Sequence, residues 1–241
     1  MKFYRNADIE NIAEGKLAEF SKMLGRPLTP PIPIDLMAGK LYNINVLWDV
    51  IEEEPGEMIW GGLNPEERVI VINEKHRKEF EEKPGMERST IGHEMGHWEL
   101  YISKEAVGHP VLPGMIRPDS FVQRSSGGKR SVEVIKALIA SEPGREILRN
   151  IHARSDHRDE ARAVNRFAAA ISMPRDMIRA EALKIDRTEW RNLYPLAKKF
   201  EVTITALKVR LQQLNLLSVT EDGKLFGSPD EAVGQMGLGL E

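Results

Sequence analysis

Residues 89–101 read S-T-I-G-H-E-M-G-H-W-E-L-Y, and His93-Glu94-Met95-Gly96-His97 inside them is an H-E-x-x-H pattern. On a helix, positions i and i+4 lie one turn apart on the same face. His93 and His97 therefore offer two imidazole nitrogens to one tetrahedral metal ion. Glu94 stands beside the first of them, displaced enough to miss the ion and still reach a water next to it. That division of labour is a zinc peptidase's: neutral nitrogen donors for Zn2+, and a non-ligand carboxylate as general base. A catalytic zinc needs a third protein ligand. Glu99 points off the His93/His97 face, and no H-E-x-x-H-x-x-G-x-x-H extension follows, which excludes the metzincin arrangement. Gly92 and Gly96 each cost a helix roughly 1 kcal/mol relative to alanine. Their presence predicts close packing of this helix against another element.

The rest of the chain narrows the chemistry. With 241 residues it buries a real core, as one domain or one plus a small appendage. It has no cysteine, so disulfides, thiolate ligands and a Cys nucleophile are excluded, and any transition-metal site draws on His, Asp and Glu. A formal net charge of -3 gives no global basic field for nucleic acid. Neither a secretion-type apolar leader nor a membrane-length apolar run is seen, so the expected location is cytoplasmic, with no membrane partner.

Hydrophobic spacing predicts an amphipathic helix over 7–24, a Pro-rich linker to Pro33 and a short helix over 34–41. Three strands are expected, at 44–48, 57–60 and 68–73, the last β-branched and read as an edge strand for an extended substrate. Pro84-Gly85 reads as a break before the H-E-x-x-H helix, placed at about 88–101. A Gly- and Pro-rich loop over 104–131 precedes helices at 132–141, 144–152 and 156–172. The downstream helix rich in acids, Asp156 to Phe167, is the natural source of a third ligand.

Here the sequence resembles a known family. Glu160 to Pro174, E-A-R-A-V-N-R-F-A-A-A-I-S-M-P, is similar to the second motif of the ImmA/IrrE zinc metallopeptidases, and S-T-I-G-H-E-M-G-H is similar to their first. With the strand V-I-V-I-N at 69–73, the resemblance covers roughly 30–180. It implies an α+β, zincin-like core with a small antiparallel or mixed sheet on the H-E-x-x-H helix. It also implies Zn2+ held by His93, His97 and a carboxylate, with Glu94 as base. Glu160 is the favoured third ligand, and His157 and Asp159 are the alternatives. The family's acid usually stands four residues before the Asn, which is Ala161 here, so Glu160 sits about 100° around the helix from that position. Tyr101, i+4 from His97, is a candidate oxyanion donor.

Toward the end, L-A-K-K-F-E-V-T-I-T-A-L-K-V-R-L-Q-Q-L reads like a helix-turn-helix, with Lys208, Arg210, Gln212 and Gln213 suited to a DNA-reading face. The expected organisation is a helix and linker over 1–29, a peptidase domain over 30–185, a helical segment over 186–220 and a flexible tail over 221–241. The expected function is a cytoplasmic, regulatory zinc endopeptidase. By the resemblance, its substrate is a DNA-binding repressor of the helix-turn-helix type, linked to a mobile element or stress response. The competing readings are a non-catalytic partner of a repressor or toxin, and a DNA-binding regulator acting through the C-terminal helices.

Overall fold

The computed structural model describes residues 3–53, 58–102 and 157–231. The loop predicted over 104–131 and the helices predicted at 132–141 and 144–152 lie outside them. Helix α1 (Asn6–Leu24) buries Ile9, Ala13, Leu17 and Phe20, its i/i+4 and i/i+3 stripe, and ends at Gly25, whose φ of 64° is left-handed. The linker leads to α2 (Ile34–Tyr42), then to β1 (Asn45–Asp49), β2 (Gly61–Asn64) and β3 (Val69–Asn73). A 3-10 turn, α3 (Arg77–Glu82) and α4 (Pro84–Leu100) follow. Further along the chain come α5 (His157–Ser172), α6 (Arg175–Ala182), α7 (Trp190–Phe200) and α8 (Ile204–Gln213), then a hairpin of β4 (Ser218–Val219) and β5 (Leu225–Phe226). The class is α+β, mostly helical with small sheets. No helix among the described residues is long and apolar enough to cross a membrane.

The larger sheet is mixed, in the order β1-β3-β2, with β1 parallel and β2 antiparallel to β3. This corrects the reading of Val69–Asn73 as an edge. Its continuous apolar run, Val69 to Ile72, is the pattern of a strand covered on both faces, and Ile70, Val71 and Ile72 are fully buried. The second strand also falls later than the predicted 57–60, on G-G-L-N at 61–64. A Cβ on Gly61 would lie 2.7 Å from both Thr90 Cγ2 and the Val71 carbonyl oxygen, so close packing on α4 and β3 selects glycine over β-propensity there.

Helix α4 starts at Pro84, earlier than expected. A proline in the first turn forfeits no intrahelical hydrogen bond, so Pro84-Gly85 opens the helix instead of breaking it. Along α4, the two glycines meet α5. The Cβ position of Gly92 is 3.4 Å from Ala168 Cβ, and that of Gly96 is 3.0 Å from Val164 Cγ1 and 3.1 Å from the Val164 carbonyl oxygen. Numbers rise along α4 as they fall along α5, so the two helices run antiparallel.

Helices α6 to α8 and the hairpin share a second apolar cluster that includes Met173, Ile178, Leu193, Phe200, Leu211 and Leu225. The hairpin occupies the start of the predicted flexible tail: Gly223 turns the chain at φ 85°, and Leu225 and Phe226 are buried. Arg210 belongs to no DNA-reading face. It is 0% exposed, donates from Nε to the Met173 carbonyl (3.0 Å), and grips the Glu10 carboxylate with Nη1 (2.6 Å) and Nη2 (2.9 Å). Arg166 Nε at 3.0 Å and Arg175 Nη2 at 3.8 Å complete the cluster on Glu10. The cluster thereby ties α1 to α5, α6 and α8.

Two predictions follow from this packing. Gly92→Ala meets only ordinary contacts and gains helix propensity, so unfolding free energy should hold or rise by up to about 1 kcal/mol. Gly96→Ala must displace backbone of α5 and should lower it; thermal melts of the two variants check the contrast. For Glu10, burial pushes the carboxyl up, but Arg210, Arg166 and Arg175 outweigh that and hold it below the usual range. Its stabilisation is therefore full above the ordinary carboxylate pKa and fades as pH falls through the lower folded-state value. Arg210→Ala should cost about 3–5 kcal/mol in urea unfolding at neutral pH, and the deficit should shrink on acidification. A deficit that stays constant down to about pH 3 contradicts the assignment.

Candidate metal centre

The approach of α4 to α5 carries polar groups as well as small ones. From α4, His93 and His97 face α5; from α5, Asn165 and Glu160 face back. His93 Nδ1 lies 2.9 Å from Asn165 Oδ1, and His97 Nδ1 lies 3.1 Å from Glu160 Oε1. Both oxygens only accept, so both Nδ1 atoms donate, and each neutral ring presents a lone pair at Nε2. Those two Nε2 atoms point at one another, 3.2 Å apart, with the rings at 74°. Two lone pairs so close repel unless they share a cation, a proton or a metal ion. Zinc fits: a tetrahedron with zinc–nitrogen bonds of about 2.0–2.1 Å has a nitrogen–nitrogen edge of about 3.3 Å.

Electrostatics divides the pair. Burial lowers the His93 pKa, and the nearby Glu94 and Glu160 charges and the Asn165 hydrogen bond only partly offset it. Burial also acts on His97, but the Glu160 hydrogen bond and the charges of Glu94 and Glu160 overcome it and raise that ring. Glu94, at 7% exposure, sits between His93 and His97 in sequence and acts electrostatically on both rings. Tyr101 caps the C-terminal end of α4 and stacks edge-on against Tyr4 at 5.7 Å, while the Tyr4 hydroxyl donates to the Leu100 carbonyl at 2.7 Å. Burial first, then the charge of Glu160, pushes the Tyr101 phenol up to about 12, so it keeps its proton at neutral pH.

The predicted site residues thus fall into place unevenly. His93, His97 and Glu94 come together on one helix, and Glu160 joins them with 5% exposure. It does so on the Nδ1 side of His97, away from the Nε2 atoms. Of its two rivals, Asp159 is exposed and pairs with Arg162 at 3.6 Å, and the His157 side chain lies outside the described part. Among the described residues, no group of three His, Asp or Glu side chains is arranged to hold a metal ion. Asn165 was not among the expected site residues. Its signal is its place five residues after Glu160, within two helical turns on the face that meets α4.

Residues 136–212 match the family model of a peptidase domain, described as the IrrE N-terminal-like domain; the matched stretch contains α5 and begins after His93–His97. None of the curated proteins is a significant match to the chain. Among solved structures, a Mycobacterium tuberculosis transcriptional regulator is similar at 14% identity and a TM-score of 0.45, over 92% of this chain. The match takes in 55% of that protein's chain, so this chain spans about half its length. The family-model match agrees with the resemblance to the ImmA/IrrE family at the Glu160–Pro174 motif, and H-E-M-G-H lies outside the matched residues.

Proposed function

We propose that this chain is a zinc-dependent endopeptidase of regulatory type, acting on a specific protein such as a helix-turn-helix repressor. The observation that carries the reading is the 3.2 Å separation of the His93 and His97 Nε2 atoms, with Glu94 next to them on the same helix. In it, His93 and His97 would hold zinc through Nε2, and the ion would supply the Lewis acid for the scissile carbonyl and the attacking water. Glu94 takes the proton from that water and returns it to the leaving amine. Tyr101, protonated at neutral pH, donates to the oxygen that gains charge as the carbonyl is attacked.

A substrate laid along the sheet does not add to β3, because β3 is paired on one side by β1 and on the other by β2. The burial of Arg210 removes the side chain best suited to reading DNA from α8, which favours a protein substrate over a nucleic acid.

The test compares new protein N-termini in cells expressing the wild type with those in cells expressing Glu94→Gln, at matched levels and matched zinc content. At least one N-terminus should appear with the wild type and be absent with the variant. The same N-termini in both would sink the peptidase reading and leave a protein that acts by binding.

A further inference from the structure

We infer that Glu160 and Asn165 are positioning residues that hold the two imidazoles by their Nδ1 atoms, and that Glu160 is not itself a metal ligand. The inference rests on the zinc reading above and deepens it. Each ring has one nitrogen spent and one free. Asn165 takes the Nδ1–H of His93 at 2.9 Å, Glu160 that of His97 at 3.1 Å, and the free Nε2 atoms converge at 3.2 Å. Nδ1 and Nε2 project from opposite edges of an imidazole, so an oxygen bonded to Nδ1 faces away from the ion that Nε2 serves.

Helix geometry makes both bonds simultaneous. His93 and His97 are about 6 Å apart along α4, and Asn165 and Glu160 about 7.5 Å apart along the antiparallel α5. One helix therefore spans both rings of the other. Glu160 is 5% exposed, and a carboxylate that buried needs a partner; among the described residues the Nδ1–H of His97 serves it. Acceptors of this kind fix the tautomer, stop the ring from turning and make the metal-facing nitrogen a better donor. The remaining coordination positions belong to groups other than Glu160.

Cobalt titration of the full chain separates the roles, because the visible absorption of Co2+ reports its ligand set and the titration midpoint reports affinity. With Co2+ alone as probe, Glu160→Ala and Asn165→Ala should weaken binding about 10–100-fold. At saturation, their bands should keep the wild-type position and intensity. Glu160→Gln should recover part of the affinity, since its amide oxygen still accepts from Nδ1. Circular dichroism of each variant establishes that it is folded. A saturated Glu160→Ala spectrum that is shifted or has lost intensity, in a folded variant, makes Glu160 a ligand and overturns the inference alone. Unchanged affinity in both alanine variants overturns it as well. A wild type that binds no Co2+ overturns the zinc reading and this inference with it.

Discussion

Where α4 passes α5, the Val164 carbonyl lies 3.1 Å from the point that a Cβ on Gly96 would occupy. One turn earlier, Gly92 faces Ala168 with a looser fit, its Cβ position 3.4 Å from the Ala168 Cβ. The absence of two side chains sets the separation of the helices, and hydrogen bonds across the gap need that separation. A side chain at Gly96 would press on the Val164 backbone and push α5, with Asn165 and Glu160, away from the imidazoles. The rings would then turn, and the two Nε2 atoms would no longer converge. Small-residue packing and the placing of the two imidazoles are thus one constraint, written on the same two turns of the same two helices.

Helix α5 is held from its other side too. Arg166, next in sequence to Asn165, turns to Glu10 on α1, and Arg210 on α8 joins the same carboxylate while donating to the Met173 carbonyl at the end of α5. A buried charge cluster of this kind is costly to break, because removing one member leaves another charge unpaired. It keeps α5 from sliding along α4. Near the far end of α4, Tyr4 bonds the Leu100 carbonyl and lies edge-on to Tyr101, so α1's leading segment also shapes the rim of the site. The start of α4 meets the α7–α8 turn directly: a Cβ on Gly85 would lie 2.7 Å from Thr203 N. The C-terminal helices are therefore part of the scaffold that carries the centre.

Much of this was legible in the sequence wherever local pattern and tertiary role coincide. The i/i+4 histidines, the stability cost of Gly92 and Gly96, and the periodicity of α1 and α5 each state a physical demand that the structure meets. What escaped were features decided by partners far away in the chain. Gly61 to Asn64 has no strand propensity and is a strand because β3 and α4 press on it. Arg210 looks like a solvent-facing cation on an amphipathic helix until Glu10, two hundred residues earlier, is brought beneath it. The side of His97 on which Glu160 falls depends on how α5 is rotated against α4, which spacing along one helix does not determine. The continuous run Val69–Ile72 did carry its signal, since a strand with one face in water alternates and this one does not.

The central proposal is that the α4–α5 contact sets His93 and His97 as two of the ligands of a zinc site. Elemental analysis of the full chain after exhaustive dialysis tests it most directly, with the wild type beside His93→Ala and Gly96→Leu. The account predicts about one zinc per wild-type chain, lost when His93 is removed and lost or greatly weakened when the helices are forced apart at Gly96. A wild type that retains no zinc, or a His93→Ala protein that retains it in full, would contradict the claim.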